Sequence, residues 1–262
     1  MVEPRPFKMS RWHATSGDDS CKVSDALAAH DVAPPDRVLA SSSRGKTTRV
    51  PWDEKSDAVV KETRWAGLEA YFKRLARLGR TSRALRAFRA SVALEERGVS
   101  VASPLSYAED ETDRACFVAR YIDGERLDRA LASRLERGDE SGARELAIQA
   151  AQLAARIHAA GVAHGDLKPM NLILAKTGLV AIDLDAASVG AKPPSLRARA
   201  KDLGALDAYS QRGSVALSVR SRLAALEAYP ALAPFESSRE ALLRAVLKRS
   251  RWKRDRWRTA RA

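Results

Sequence analysis

The residues best suited to chemistry lie in a short loop and in the turn that follows it. The loop reads His164-Gly165-Asp166-Leu167-Lys168-Pro169-Met170-Asn171, and the turn reads Ile182-Asp183-Leu184-Asp185. An Asp, an Asn five positions later and a second Asp after the next hairpin are the groups that phosphoryl transfer uses. Asp166 can accept the proton of an attacking hydroxyl, and Asn171 and Asp183 can offer oxygen ligands to Mg²⁺. Lys168 can neutralise charge on the transferring phosphoryl group.

The elements around the loop must hold these groups together. Apolar residues recur at helical spacing over 143–160, and Gly161 ends the pattern, so a helix is predicted before the loop. Pro169 excludes a continued helix. The apolar runs 172–174 and 179–182 flank a Lys-Thr-Gly turn and predict a hairpin. That hairpin would hold Asn171 at its entrance and Asp183 at its exit.

This loop and turn resemble those of the protein-kinase-like superfamily, in a branch where His-Gly-Asp replaces the His-Arg-Asp of ordinary protein kinases. The sequence most resembles the bacterial lipopolysaccharide kinases, which phosphorylate a Kdo or heptose sugar of the inner core. The resemblance covers roughly residues 37–209 and is concentrated in the loop and the Asp183 turn. It implies an α+β, protein-kinase-like two-lobed fold, with a small β-rich N-lobe that carries extra helices and a mostly helical C-lobe.

The resemblance also implies a nucleotide site for ATP with Mg²⁺. Lys61 ends a short predicted strand, 58–61, and corresponds to the lysine that contacts the α- and β-phosphates. The Ser/Gly turn before this strand would cover the phosphates through Ser41, Ser42, Ser43 and Lys46. Residues 40–47 also nearly match a Walker A sequence. A P-loop must open a helix, whereas β-branched residues and Pro51 follow here, so a P-loop NTPase is excluded.

The acidic partner of Lys61 is not evident in the sequence. Helices are predicted over 65–78 and 82–97, where the kinase αC helix belongs. When the end of the second helix is aligned with the family, Ala87 or a neighbouring Arg stands where the glutamate is usual. Glu95 and Glu96 come late in that helix, which leaves Glu69 on the first helix as the candidate.

Composition sets the expected domain organisation and compartment. Residues 1–34 mix Pro, Ser, Asp and Gly without periodicity and predict a flexible N-terminal arm. Residues 35–262 are predicted to form one domain, with an N-lobe over 35–122 and a C-lobe over 125–262. Cys21 and Cys116 lie far apart and in no metal-ligand spacing, which favours a reducing compartment. Without an apolar signal segment or a membrane-spanning run, we expect a cytoplasmic protein.

The net charge of +13 indicates an anionic partner. The tail over 244–261 interleaves Trp252 and Trp257 with basic residues, and three interpretations are open. The tail could make peripheral contact with the inner face of the cytoplasmic membrane or with a phosphate-rich glycolipid. It could bind RNA, which ranks behind the other interpretations. It could also be a final helix that solvates its charges and packs four apolar residues on the lobe: Leu243, Val246, Leu247 and Trp252.

Together these features predict a Mg²⁺·ATP-dependent phosphotransferase that acts on a sugar hydroxyl of an anionic glycolipid. Only about a dozen residues, Ala186 to Leu196, separate the Asp183 turn from a helix predicted to begin near Ser195. No Ala-Pro-Glu follows, so an extended peptide has no obvious surface on which to bind. The alternatives are a RIO-like protein kinase or ATPase linked to RNA, and a pseudokinase that binds polyanions without catalysis. A cationic aminoglycoside acceptor matches the positive charge poorly. Asp202 resembles the helix aspartate that braces the loop in kinases, or else it is a solvated helix charge.

Overall fold

A computed structural model describes residues 9–14, 20–43, 45–64, 81–110, 114–229 and 238–259. These residues divide into two units. The first contains the described residues up to Val92 together with Ala102–Tyr121, and the second contains Ala93–Val101 with the described residues from Ile122 onward. A sheet dominates the first unit and helices dominate the second, so the predicted α+β class is confirmed.

An antiparallel sheet forms the first unit. Its strands are β1 (Met9–Ala14), β2 (Val38–Ser42), β3 (Gly45–Pro51), β4 (Asp57–Arg64), β5 (Pro104–Asp110) and β6 (Arg114–Arg120). They lie in the order β1-β5-β6-β4-β3-β2. Along β4 every second residue is buried, because successive side chains of a strand point to opposite faces of the sheet.

Helix α1 (Ser20–Asp31) packs on one face of this sheet. One side of the helix carries Val23, Ala26 and Leu27, which are spaced three and one apart. These side chains join the core with Val60 and Val118 of the sheet. The prediction of a flexible arm over 1–34 is therefore wrong for α1. It is also wrong for β1, whose backbone pairs with β5.

A buried ionic cluster lies on the face that α1 covers; its members are His30, Asp31, Thr48, Glu62 and Arg114. The Arg114 guanidinium donates to Glu62 at 2.7 Å and to Asp31 at 2.5 Å. The His30 ring lies 3.3 Å from the Glu62 carboxylate and 2.7 Å from the Thr48 hydroxyl. A buried carboxylate costs little stability only when such partners surround it, and here they do.

These partners decide the protonation of the buried groups. Burial alone would raise the pKa of Glu62, but hydrogen bonds from His30, Arg64 and Arg114 lower it well below its ordinary value. Burial, followed by the charge of Glu62, raises the pKa of the neighbouring Cys116 thiol. The carboxylate is therefore ionised, and the buried thiol is protonated and unreactive.

Helix α2 (Arg83–Glu95) agrees with the helix predicted over 82–97. The Ser82 hydroxyl accepts a hydrogen bond from the Leu85 amide at 3.0 Å, which caps its first turn. Gly98 follows the helix with a φ of 66°, a conformation that favours glycine. The helix predicted over 65–78 and its Glu69 lie outside the described residues.

The second unit contains α3 (Leu127–Glu136), α4 (Glu140–Ala159), α5 (Leu196–Tyr209), α6 (Val219–Ala228) and α7 (Arg239–Thr259). One small sheet has the order β10-β9-β7, built from β7 (Gly124–Arg126), β9 (Leu172–Ala175) and β10 (Gly178–Ala181). A second consists of β8 (Val162–Ala163) paired with β11 (Ser188–Val189). Helix α4 and the β9–β10 hairpin confirm the elements predicted on either side of the loop.

Helix α7 packs along α5 through a stripe that begins at Leu242 and continues through Val246 and Ser250, all buried. Further along, the rings of Trp257 and Tyr209 lie 4.7 Å apart. The tail is thus a packed helix, but its buried side differs from the predicted stripe, since Trp252 is 43% exposed. No helix within the described ranges is both long and apolar enough to cross a membrane.

Candidate active site

The loop over 164–171, here called the catalytic loop, runs from β8 into a 3₁₀ turn over Pro169–Asn171. Gly165 has a φ of 82°, and a Cβ at this position would lie 2.3 Å from the carbonyl oxygen of Ala186. The loop backbone therefore passes directly against the segment that follows Asp183. Only glycine fits the second position of His-Gly-Asp in this arrangement.

Asp202 of α5 braces the start of the catalytic loop. Its Oδ2 accepts a hydrogen bond from the His164 amide at 2.8 Å, and its Oδ1 accepts one from the Gly165 amide at 2.9 Å. The carboxylate is 1% exposed, so these bonds are shielded from water. Of the two interpretations of Asp202, the structure favours the brace over the solvated charge.

Two residues that the sequence did not reveal complete this brace. His158 of α4 contacts Asp202 Oδ2 through Nε2 at 3.2 Å, and its Nδ1 lies 2.8 Å from the Tyr229 hydroxyl. Burial raises the pKa of Tyr229 well above its ordinary value, so the hydroxyl keeps its proton. The sequence signal for His158 was its place on the apolar side of a predicted helix; Tyr229 gave none.

The loop presents Asp166, Lys168 and Asn171 together. The Lys168 ammonium donates to Asp166 Oδ2 at 2.8 Å, and the Asn171 side-chain amide donates to the Asp166 carbonyl at 2.9 Å. Burial alone would lower the pKa of Lys168, but the hydrogen bond and charge of Asp166 raise it, with smaller contributions from Tyr209 and Asp183. Asp166 keeps 38% of its side chain exposed, so a substrate can reach it.

Asp183 joins this group through a strained backbone. Its φ of 64° makes it the single non-glycine residue with positive φ in the part of the chain that the structure describes. Such strain persists where surrounding contacts enforce it, and it clusters at functional sites. Here the His164 ring donates from Nε2 to the Ile182 carbonyl at 3.0 Å, and the Ile182 amide donates to the Asn171 carbonyl at 3.0 Å.

The segment after Asp183 is short and fastened. Ser188 and Val189 of β11 pair with β8, and the Gly190 amide donates to the Gly161 carbonyl at 2.9 Å. The Ser195 hydroxyl then accepts from the Ala198 amide as α5 begins. The structure therefore agrees with the predicted short connection, which lacks the long segment on which protein kinases bind peptides.

Lys61 lies in the first unit, in β4. It pairs across the sheet with Thr47 and with Phe117, and Phe117 pairs in turn with Tyr107. Directly paired residues share a face of a sheet. The Tyr107 ring lies 5.3 Å from that of Phe88 in α2. Lys61 is therefore on the face that α2 covers, opposite to α1 and the ionic cluster.

The hairpin between β2 and β3 holds the other predicted phosphate contacts. Ser41, Ser42 and Ser43 are exposed near its tip, where the Ser42 hydroxyl donates to the Gly45 carbonyl at 3.3 Å. Lys46 differs from the prediction: its ammonium donates to the Asp31 carbonyl at the end of α1, at 3.1 Å. It precedes Thr47 in β3 and so lies on the opposite face from Lys61. The strand Gly45–Pro51 also confirms that no P-loop helix follows this turn.

Ala87 of α2 is one of the residues that the alignment with the family places at the usual αC glutamate. Its side chain is 2% exposed and belongs to the apolar side of the helix. A methyl group cannot accept a hydrogen bond from Lys61, so Ala87 itself cannot serve as its acidic partner.

Comparison with known proteins agrees with this geometry. Residues 33–229 match the lipopolysaccharide kinase (Kdo/WaaP) family. The structure of WaaP in complex with acyl carrier protein is similar with a TM-score of 0.66 and 21% identity, over 94% of this chain and 98% of that chain. A crystal structure of the Mycobacterium tuberculosis PknI kinase domain is similar with a TM-score of 0.47 and 17% identity, over 82% of this chain and 94% of that chain. The structure of the pseudokinase domain of BIR2 has a TM-score of 0.45 and 14% identity, over 95% of this chain and 83% of that chain. No curated protein matches the sequence.

The likeness to WaaP shows the fold, which is protein-kinase-like. The family match is stronger, because it spans more than half of the chain and includes the whole catalytic loop and Asp183. This chain therefore belongs to the lipopolysaccharide kinase (Kdo/WaaP) family and is an ATP-dependent kinase.

Proposed function

We propose that this kinase transfers the γ-phosphoryl group of ATP to a sugar hydroxyl of the lipopolysaccharide inner core, on a Kdo or heptose, at the cytoplasmic face of the membrane. The family match supports a lipopolysaccharide acceptor. The observation that carries the proposal is the pair of Asp166 and Lys168, joined at 2.8 Å and reachable by a substrate. Such a pair can take a proton and stabilise negative charge at the same place.

Asp166 is the group that accepts the proton of the sugar hydroxyl. Its loop is fixed by Asp202 before any substrate arrives, so little ordering remains to be done during the reaction. Lys168 stays protonated, because Asp166 raises its pKa, and it stabilises the charge that develops on the transferred group.

Asn171 and Asp183 fit a divalent metal such as Mg²⁺. The Asn171 amide nitrogen is engaged by the Asp166 carbonyl, which leaves its Oδ1 as the ligand atom, and Asp183 offers carboxylate oxygens. Hard cations prefer oxygen ligands of this kind. When bound, Mg²⁺ would neutralise charge on the phosphates of the nucleotide. We assign Asn171 and Asp183 to it as ligands.

For the nucleotide, we assign Lys61 and the exposed serines Ser41, Ser42 and Ser43 as phosphate contacts. Support comes from the strand position of Lys61 and from its place on the face that α2 covers. Lys46 is left out of this set, since it bonds to the end of α1. Contact of the C-terminal tail with a membrane stays a prediction.

The test measures transfer of labelled γ-phosphate from ATP with Mg²⁺ to inner-core lipopolysaccharide and, in parallel, to protein. We expect label on the glycolipid and a loss of about 10³-fold in kcat for Asp166→Ala, because the proton acceptor is removed. Asp183→Ala should instead weaken Mg²⁺·ATP binding. Glu136→Ala, which removes an exposed carboxylate at the end of α3, serves as the control. Label only on protein would favour a RIO-like protein kinase, and full transfer by Asp166→Ala would contradict the mechanism.

A further inference from the structure

The close packing of α5 and α7 creates a surface that the proposed mechanism does not use. At Gly204 of α5, an added Cβ would lie 2.9 Å from the Cβ of Arg249 and 3.2 Å from the carbonyl oxygen of Val246. The stem of Arg249 is therefore fixed against α5. Its guanidinium lies 4.0 Å from the ring centre of Trp252, and that of Arg256 lies 4.9 Å from the same ring. The indole is thus in contact with two cations, and Trp252 remains 43% exposed.

Beside this interface, an open pocket of about 910 Å³ lies between the first turns of α5 and the middle of α7. Arg197 and Lys201 line it from α5, and Lys248, Arg249 and Trp252 line it from α7. No Asp or Glu is among its lining residues. Within the described ranges of the chain, none of its four cations forms an ion pair with a carboxylate.

Other cations of the same unit are neutralised, which makes the pocket distinct. Arg126, Arg134 and Arg222 each lie within 2.8 Å of a carboxylate oxygen. Like charges gathered without acids repel one another, so such a cluster destabilises the folded state unless an anion is bound. Helix α7 carries nine basic and two acidic residues, and two of the basic residues, Lys248 and Arg249, line the pocket.

Lys253 links the pocket to the catalytic loop. Its ammonium lies 4.9 Å from the ring centre of Tyr209. Burial lowers the pKa of Lys253; among nearby charges, Asp166 raises it, and Lys168, Arg249 and Lys201 lower it. Geometry supports the same link, because Lys201 of the pocket directly precedes Asp202, whose carboxylate accepts from the His164 and Gly165 amides at 2.8 and 2.9 Å. The pocket therefore adjoins the element that braces the catalytic loop.

We propose that the pocket between α5 and α7 binds an oxyanion group, a phosphate or carboxylate, of the glycolipid acceptor and thereby presents the acceptor hydroxyl to Asp166. The inference rests on the proposed function. Lys201 and Arg249 bind the oxyanion, and guanidinium and ammonium donors are the groups that recognise such anions in proteins. The exposed part of Trp252 offers an apolar surface for a sugar ring. The volume suits one or two sugar rings rather than a single small ion.

The test compares Lys201→Gln/Arg249→Gln with Arg251→Gln/Arg258→Gln, which removes the same charge from exposed positions of α7 outside the pocket. The acceptor is delipidated core oligosaccharide with its phosphates and carboxylates intact. We expect the first variant to raise KM for the oligosaccharide about 30-fold, because two charged hydrogen bonds are lost, with kcat and KM for ATP nearly unchanged. The control variant should stay within about threefold of wild type.

A binding experiment distinguishes an anion of the glycolipid from an anion of the membrane. Tryptophan fluorescence is titrated with the delipidated oligosaccharide and with phosphatidylglycerol vesicles in the Asp166→Ala background, and Trp252→Phe identifies the responding ring. Binding of the oligosaccharide that falls in Lys201→Gln/Arg249→Gln supports the pocket. Vesicle binding that falls while the oligosaccharide KM stays normal would assign the surface to the membrane and overturn the proposal.

The outcomes also distinguish this inference from the proposed function. If wild type transfers label to no sugar, the proposed function fails and the pocket proposal fails with it. If wild type transfers label and Lys201→Gln/Arg249→Gln keeps a normal KM, only the pocket proposal fails. Should the double variant unfold, Lys201→Gln alone decides, since Lys201 is exposed; a KM raised about fivefold supports the proposal and an unchanged KM overturns it.

Discussion

The ionic cluster of the first unit and the catalytic loop of the second both contain carboxylates, but the burial and the partners of these carboxylates differ. Glu62 is fully buried and is surrounded by His30, Arg64 and Arg114. Asp166 keeps 38% of its side chain exposed and has Lys168 as its partner. The buried carboxylate that braces the loop is Asp202, and its two oxygens bind backbone amides rather than the side chains of Arg or Lys.

This contrast indicates where the reacting group is to be found. Glu62 has a strongly lowered pKa, yet it has no part in the proposed transfer. Strong perturbation of a pKa is often used to find active sites, although structural ion clusters produce it as well. In this kinase the perturbed carboxylate stabilises the sheet, and the reacting carboxylate is the one that remains reachable on a braced loop.

Removing the buried carboxylate should have the largest effect on stability. Glu62→Ala leaves Arg114 and His30 buried beside a cavity, and we expect the free energy of unfolding to fall by about 3–5 kcal/mol. Urea denaturation measures this, with Glu54→Ala, at an exposed position, as the control. The kcat of the remaining folded enzyme should be unchanged. A loss of kcat without a loss of stability would contradict this prediction, since it would give Glu62 a part in catalysis rather than in stability.

Altering the brace should have a smaller effect on stability and a clear effect on rate. In Asp202→Asn, the new amide nitrogen faces one of the two loop amides, so one donor is left without an acceptor. We expect a loss of about 1–3 kcal/mol in stability and a fall in kcat of about tenfold or more, since the loop shifts.

Asp207 offers a matched control for this experiment. It lies on the same helix, is also buried, and accepts hydrogen bonds from Arg222, Gln211 and Ser250 instead of from the loop. Asp207→Asn should lower stability and leave kcat close to wild type. Equal losses of kcat in the two variants would show that Asp202 acts only through general stability.

The smallest effect concerns pH. The pKa of Glu62 in the folded protein is lowered from the ordinary value of 4.5, so its stabilising contribution is complete above that value and is lost as the pH falls below it. Urea midpoints from pH 7 to pH 3.5 should therefore fall more steeply for wild type than for Glu62→Gln, which has no carboxylate to protonate. Identical slopes would show that Glu62 does not contribute to acid sensitivity.

The catalytic loop could be predicted because its determinants are local. Asp166, Lys168 and Asn171 lie within six positions, and the hairpin that carries Asp183 follows directly. The residues that shape the surrounding turns, Gly161, Pro169 and those of the β9–β10 hairpin, lie in the same stretch of sequence. Asp202, 38 positions after His164, was identified only through the family resemblance.

Other features depend on partners that are distant in sequence. Arg114 and Glu62 are 52 positions apart, and nothing near either residue indicates that the sheet will place them together. The apolar residues of α1 form a short, alanine-rich stripe, which becomes meaningful only against the sheet that it covers. For α7, the surface of α5 decides which side is buried, which is why Trp252 is exposed while Val246 is not.

The short segment after Asp183, fastened by β11 and by Gly190, bears on how the enzyme is controlled. Kinases that are switched on and off by their own chain use a long segment in this place, which changes between two positions when it is phosphorylated. Residues 184–195 are too few and too firmly attached to make such a movement. Control by a phosphorylated segment that changes position is therefore not expected from residues 184–195 of this kinase.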